Sequence, residues 1–503
     1  MKRTNLSLVL LVVFITVAAG FYSWHMGLTP LQLTWRIAAF VFLINLLLIA
    51  VVILMEKRNP YKTIAWLLVF IAFPIGGYIL YTFFGRDIRR NKAYKDLSPY
   101  DRCSIILKTN QANFLSHDTA LPCPKLSTLV STTTALPVQP HNTIKVLTNG
   151  PSTFREIIKE LKRAENHIHM EYYIIRGDKL GRKIRDILVD KAGRGVQVRI
   201  LYDGVGCLKL SKEFFRPLEK AGGEIGVFLP IKFPFLDYRT NYRNHRKILV
   251  VDGKVGFLGG LNIGDEYLGK SKSFSFWRDT HIKLEGDSVY SMQAVFLQDW
   301  TYATGRRIEC EDYFAPHSID TYKPVQIVSS SPDSKWESMQ KLYVQLVSMA
   351  QNKLYITTPY LIPDESLLTA LKISSLAGVD VRLLVPGIPD KKIVHSASRS
   401  YYQELMEAGV EIYEYTRGFI HAKVIQVDNT VASVGTANLD IRSLHLGYEI
   451  NAIVYDRKVI KALEEDFFRD LKHCVRIDRN GWKERPLGKH LAEATARLFS
   501  PLL

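Results

Sequence analysis

Two histidine–lysine sets in this chain carry side chains able to do chemistry together. In "NHRKILVVDGKVGFLGGLN" (244–262), His245, Lys247 and Asp252 lie along an apolar run that ends in Gly259, Gly260, Leu261 and Asn262. In "IHAKVIQVDNTVASVGTANLDIRS" (420–443), His421, Lys423, Asp428, Gly435 and Asn438 repeat the same steps, 2, 7, 14 and 17 residues after the histidine. Residues two apart on a strand face the same side, so each His–Lys pair can point at one ligand. One such pair would be equally well read as a basic strand edge. Its repetition at identical spacing makes each stretch half of a single site.

The chemistry these residues suit is displacement at a phosphodiester. Such a group repels nucleophiles and parts from a poor alkoxide, so its site must supply cations, a nucleophile and a proton. Lys247 and Lys423 can clamp the non-bridging oxygens, with Asn262 and Asn438 donating further hydrogen bonds as charge builds. One imidazole can attack phosphorus to give a phosphohistidine while the other protonates the departing alcohol and then deprotonates the acceptor. The spacing leaves open which histidine attacks. No metal and no other cofactor is required by this scheme.

A nucleophilic imidazole also needs its second nitrogen held. Glu449 in "LGYEIN", 28 residues after His421, and Asp279 in "FWRDTHI", at a comparable place after His245, are the candidates. Asp252 and Asp428 are grouped with the catalytic set by their motif positions, with bracing of strand and loop as their expected contribution. Gly260 and Thr436 join the two asparagines as expected substrate-binding residues. Thr436, Asp440, Arg442 and Ser443 are expected to shape the pocket floor, where the first copy diverges, so the halves need not serve the same substrate.

The elements that position these residues are themselves duplicated. Ser152 opens a helix with Phe154, Ile157, Ile158 and Leu161 at helical spacing, matched by Met339, Leu342, Tyr343 and Leu346. Strands follow in "AENHIHMEYYII" (164–175) and "AQNKLYITTPYLI" (350–362), then in "AGRGVQVRILYDG" (192–204) and "SLAGVDVRLLVPG" (375–387). The period far exceeds a solenoid repeat, so each copy is expected to be an α/β domain, over 141–320 and 321–503, the two facing one another about a pseudo-twofold axis.

The rest of the chain points to a lipid surface. Three apolar stretches, roughly 6–24, 37–55 and 64–84, approach the ~20 residues that a helix needs to cross a bilayer. Residues 1–90 are therefore read as a membrane anchor of two to three helices, followed by a connector over 91–140. Lys and Arg number 66 against 49 Asp and Glu, a net charge of +17 that favours polyanions. With an anchor present, anionic membrane lipids are the expected partners and nucleic acid is not. Five cysteines without a CxxC pair give neither a zinc site nor a complete disulfide framework. The aromatic and basic run "FLPIKFPFLDYRTNYR" (228–243) is a candidate apolar mouth, and 482–503 a candidate membrane-contacting tail.

The doubled H-x-K-x4-D with its downstream G-[GST]-x-N resembles the phospholipase D superfamily over about 141–475. Within it, "NPYKTIAWLLVFIAFPIGGYILYTFFGR" (59–86) and the final "RLFSPLL" are similar to the ends of bacterial cardiolipin synthases. The resemblance implies His245 as nucleophile, His421 as acid and base, and Asp279 and Glu449 as ring-orienting groups. It also implies passage of a phosphatidyl group from one phosphatidylglycerol to another at a bacterial cell membrane, with a multi-pass anchor and release of glycerol. A phospholipase D hydrolase or a phosphatidylserine-forming transferase would use the same residues. A membrane-tethered nuclease also suits the charge, but the sequence offers no clear stacking platform for single strands.

Overall fold

The computed structural model describes residues 121–500, apart from 212, 231–240, 271–273, 275, 309 and 310, together with scattered residues between 29 and 81. It divides into two compact units, residues 1–87 forming most of the first and the remainder of the chain most of the second. In the first unit Pro60 starts the helix Pro60–Ala72, where its missing N–H costs nothing. The rings of Trp66, Phe70 and Tyr81 cluster around it, while Trp35, Leu47, Leu68, Ile71 and Phe73 are exposed.

Thirteen residues make a helix of about 20 Å, against a hydrocarbon layer of about 30 Å. Among the described residues no helix is long and apolar enough to cross a membrane. The apolar stretch at 6–24 lies outside them.

The second unit is built on one sheet. Its first half supplies β1 (Val138–Thr148), β2 (His167–Tyr172), β3 (Gln197–Asp203), β4 (Glu224–Phe228), β5 (Lys247–Val251), β6 (Val255–Gly259), β7 (Trp277–Arg278) and β8 (Thr280–Gly286). The second half supplies β9 (Tyr322–Ser330), β10 (Lys353–Thr357), β11 (Leu361–Ile362), β12 (Asp380–Pro386), β13 (Glu411–Tyr415), β14 (Phe419–Ile420), β15 (Val424–Val427), β16 (Val431–Gly435), β17 (Leu439–Asp440), β18 (Glu449–Val454) and β19 (Cys474–Arg476).

Fifteen of these nineteen strands form the sheet, in the order β19-β13-β12-β10-β15-β16-β18-β9-β1-β8-β6-β5-β2-β3-β4, while β11 pairs with β17 and β7 with β14 in two separate two-stranded sheets. Outward from the central antiparallel pair β1–β9, the sequence β8-β6-β5-β2-β3-β4 is mirrored by β18-β16-β15-β10-β12-β13. The duplicated sequence is thus a duplicated half-sheet, fused through its first strands into one continuous layer rather than two separate sheets.

Helices cover the sheet because the strands are buried on both faces: all five residues of β5 and all four of β15 are buried. Asn149–Arg163 presents Phe154, Ile157 and Leu161 to the first core, and Ser338–Ser348 presents Met339, Leu342, Tyr343 and Leu346 to the second. The stretch read as a connector carries a helix, Pro124–Thr134, whose Leu126 and Val130 enter the second half's core. Gln326 of β9 secures it through its side-chain amide, on Ser127 O, Ser131 Oγ and Leu136 O.

Candidate active site

The two motif strands place their histidines at the same edge of the sheet. Because β5 runs antiparallel to β2, His245 at its start lies beside the residues that follow β2, and Tyr173, Ile174 and Arg176 line the same cleft. In the second half Tyr360, after β10, and Asp390, after β12, line it beside His421. The cleft has a volume of about 610 Å³, and His245, His421, Asn262 and Asn438 all contribute to its wall.

Each histidine is held by the other half. His245 N donates to Tyr448 O at 2.9 Å, and its Nδ1 lies 3.1 Å from both carboxylate oxygens of Glu449. His421 N donates to Arg278 O at 2.7 Å, and its Nδ1 lies 2.8 Å from Asp279 Oδ2. The main-chain bridges that bring these pairs together are parallel, β7 with β14 and Asn244 with Tyr448. Chain order would assign Asp279 to His245 and Glu449 to His421; the structure exchanges them. Anchored at Nδ1, each ring keeps Nε2 for the cleft. Tyr173 packs edge-on against His245 at 5.1 Å, and Trp277 lies 5.3 Å from His421.

Lys247 and Lys423 are buried, and each donates its Nζ to the carbonyl of its own motif histidine, at 2.6 and 2.5 Å. Burial lowers both amines, Lys247 to about 7 and Lys423 to about 8, although Glu449 and Asp279 pull the other way. Burial also lowers both imidazoles, with the lysine charges adding to it; His421 falls to about 3. Burial opposes ionisation of Asp279 and Glu449 as well, yet the bonds and charges of the histidines and lysines hold both carboxyls below their usual range. The ligand-free cleft therefore holds two neutral imidazoles against two carboxylates, which leaves a nucleophilic nitrogen available. An arriving phosphate anion would favour protonation of the lysines and of one ring.

The two asparagines differ. Asn262 Oδ1 accepts from Ile174 N at 3.1 Å, and its amide faces Tyr267 Oη at 3.3 Å. Asn438 Nδ2 donates to Asp440 Oδ2 at 2.9 Å, and Asp440 caps the following short helix through Ser443 N at 2.7 Å. Asp440, Arg442 and Ser443 line the cleft.

Four expected site residues stand elsewhere. Asp252 begins the β5–β6 turn, about 17 Å of strand from Lys247. There it accepts from the main-chain N–H groups of Glu165, Asn166 and His167 at 2.8–3.2 Å. Asp428 does the same for Gln351, Asn352 and Lys353. Both have a left-handed backbone, φ 54° and 50°, which a short polar side chain tolerates. These aspartates pin a turn and belong outside the catalytic set.

Gly260 and Thr436, expected to bind substrate, lie behind the orienting carboxylates instead. A Cβ on Gly260 would meet Asp279 Oδ1 at 2.2 Å, so only glycine lets that carboxylate through. Thr436 Oγ1 donates to Glu449 Oε2 at 2.5 Å. The proposed mouth at 228–243 lies mostly outside the described residues. Arg246 and Asn244, flanking His245, belong to no motif that the sequence displays. Their signal is the contrast between Asn244-His-Arg-Lys in one copy and Ile420-His-Ala-Lys in the other.

A single duplicated α/β sheet that brings two His–Lys sets to one edge defines a phospholipase D-type protein. Comparison narrows the class. The family described as "Cardiolipin synthase, PLD-like domain" matches residues 157–300 and 343–471, and "Phospholipase_D-nuclease N-terminal" matches 43–86. A cardiolipin synthase of Geobacillus kaustophilus is 46% identical over 91% of this chain and 92% of its own. "Cardiolipin synthase 2" of Bacillus cereus is 46% identical over 92% and 91%. A solved phosphatidylserine synthase of Haemophilus influenzae shares the fold at 16% identity and a TM-score of 0.57, covering 75% of this chain and 98% of that one. The chain belongs to the cardiolipin synthase family of the phospholipase D superfamily.

Proposed function

We propose that this chain is a phosphatidyltransferase that joins two molecules of phosphatidylglycerol into cardiolipin and releases glycerol. The observation that carries the mechanism is the pair of histidines on one cleft, each with Nδ1 anchored to a carboxylate of the opposite half. His245 Nε2 attacks the phosphorus of the donor, and His421 gives a proton to the glycerol oxygen as the P–O bond breaks. His421, now neutral, takes the proton from the terminal hydroxyl of a second phosphatidylglycerol, whose oxygen attacks the phosphohistidine and frees His245. Lys247 and Lys423 turn from the motif carbonyls to the non-bridging oxygens, where a cation is worth most as charge accumulates. Glu449 stabilises the phosphohistidine ring, and Asp279 the imidazolium of His421.

The membrane is both reservoir and acceptor. Residues 1–90 anchor the chain there, a reading supported by the apolar stretches of the sequence and by the exposed Trp35, Leu47, Leu68, Ile71 and Phe73. The C-terminal helix Leu487–Leu498 adds a contact: Leu487, Leu491, Leu498 and Phe499 are exposed. Glu493, which interrupts the apolar pattern, turns inward to a two-pronged bond with Arg485 at 2.7 and 2.9 Å. A lipid alcohol concentrated at this surface outcompetes water for the intermediate.

The test is a product assay on purified protein in vesicles of labelled phosphatidylglycerol, with a chelator present. Cardiolipin and glycerol in equal amounts are expected. Phosphatidic acid alone would replace transfer by hydrolysis, and turnover of nucleic acid without lipid products would move the chain to the nuclease reading.

A further inference from the structure

Behind His245 lies a buried charge cluster centred on Arg246; behind His421 the matching grip comes from a different place in the chain, Arg278 donating to Asp279 O with Asp470 and Asp466 beside it. Asn244 Nδ2 donates to Glu171 Oε1 of β2, and Asn244 Oδ1 accepts from Arg246 N at 3.1 Å. The Arg246 guanidinium reaches three elements: Glu449 O at 3.2 Å, Ser330 O at 2.8 Å, and Asp299 Oδ2 on helix Ser288–Thr304. All four side chains are almost wholly buried. Arg246 thus grips the main chain of the residue whose carboxylate holds His245. At the equivalent positions of the second half stand Ile420 and Ala422, both buried and unable to form such a network.

Two oxygens in this cluster, Glu171 Oε2 and Asp299 Oδ1, are buried with no donor facing them among the described residues. The two carboxyl groups are nevertheless in hydrogen-bonding contact with each other. Carboxylate oxygens cannot bond without a hydrogen between them, and two like charges at that distance in a dry interior cannot both persist. Burial and the Asp299 charge push Glu171 well above the usual carboxyl range, consistent with a proton residing there. The charges then sum to zero: one carboxylate, one carboxylic acid and one guanidinium.

We infer that Glu171 and Asp299 share a single proton, and that this acid–carboxylate pair and Arg246 form a neutral brace positioning the His245–Glu449 dyad. The other groups facing the brace are Asp333, in electrostatic reach of Arg246 and Asp299, and Asn244. Since only one carboxylate is needed, either acid alone can balance Arg246. In Glu171→Gln the new amide donates to Asp299, which keeps its bond to Arg246. In Asp299→Asn the amide donates to Glu171, which ionises in its place. Removing both acids strands Arg246 beside Glu449.

Two measurements test this, the first independent of the proposed activity. Infrared difference spectra of the full chain at neutral pH, wild type against each single variant, should show a protonated-carboxyl stretch lost in both. In the second, cardiolipin formation by each single variant should stay within about threefold of wild type, while Glu171→Gln/Asp299→Asn loses about a hundredfold in kcat with KM little changed. Adding Arg246→Met to the double variant should restore thermal stability but not the rate, because the grip on Glu449 is gone. No carboxyl band in the wild type, or a single variant as impaired as the double, overturns the inference. So does full activity of a folded double variant.

Discussion

Gly260→Ala tests most directly whether Asp279 works by holding His421. The added methyl carbon would stand 2.2 Å from Asp279 Oδ1 and 2.8 Å from its Cγ and Oδ2, where real contacts begin at about 3.0 Å. The carboxylate must therefore retreat by about 0.8 Å, the difference between 3.0 and 2.2. Its Oδ1 also accepts from Thr280 N at 2.7 Å, so the group cannot slide away without breaking a second bond. The 2.8 Å bond to His421 Nδ1 lengthens beyond hydrogen-bond range, and the ring loses both its tautomer and its aim. A misplacement near 1 Å costs about a hundredfold in rate, or about 2.7 kcal/mol of transition-state stabilisation. The assay is initial-rate cardiolipin formation per folded molecule, with circular dichroism to count the folded fraction. Gly193→Ala, where a Cβ meets nothing within 4 Å, is the control and should be neutral. Combining Gly260→Ala with Asp279→Asn should cost little more than either alone, since both remove one contact. A folded Gly260→Ala enzyme within about threefold of wild type would refute the positioning argument.

Three further outcomes follow from the geometry. Thr436→Val, which removes the hydroxyl 2.5 Å from Glu449 Oε2, should lower kcat about tenfold while Thr436→Ser stays near wild type; equal losses in both would point to packing instead. Asp252→Ala and Asp428→Ala should each lower stability by about 1–3 kcal/mol in denaturant titrations, by stranding three main-chain N–H groups, and leave kcat of the folded enzyme within a few-fold. Affinity for an inorganic phosphate analogue should fall as pH rises through the region of about 7 to 8. There the ligand-free lysines shed the protons that the anion requires, and binding must restore them. Affinity that rises with pH over that range would contradict the lysine clamp.

Much of this arrangement is legible in the residues. The equal intervals after His245 and His421 announce a duplicated half-site, and the periodicities of Phe154–Leu161 and Met339–Leu346 locate helices that do pack on the two cores. What escapes the sequence is contact between the copies. The exchange of Asp279 and Glu449 rests on β7–β14, two residues long, and on a single bridge at Asn244, segments too short to carry a pattern. Asp252 and Asp428 share a motif with the catalytic residues because the motif records a strand and its turn as well as a site. Arg246 falls between His245 and Lys247 on the opposite strand face, which reads as solvent-facing until a helix carrying Asp299 covers it.

The central claim is that one histidine carries the phosphatidyl group and the other moves protons. The direct measurement is rapid quenching of turnover on labelled phosphatidylglycerol, followed by peptide mapping of the covalent adduct. The account predicts the adduct on the peptide containing His245, its absence from His245→Ala, and no cardiolipin from His421→Ala, which lacks both the acid for the first step and the base for the second. An adduct on His421, or cardiolipin formed by His245→Ala, would contradict it.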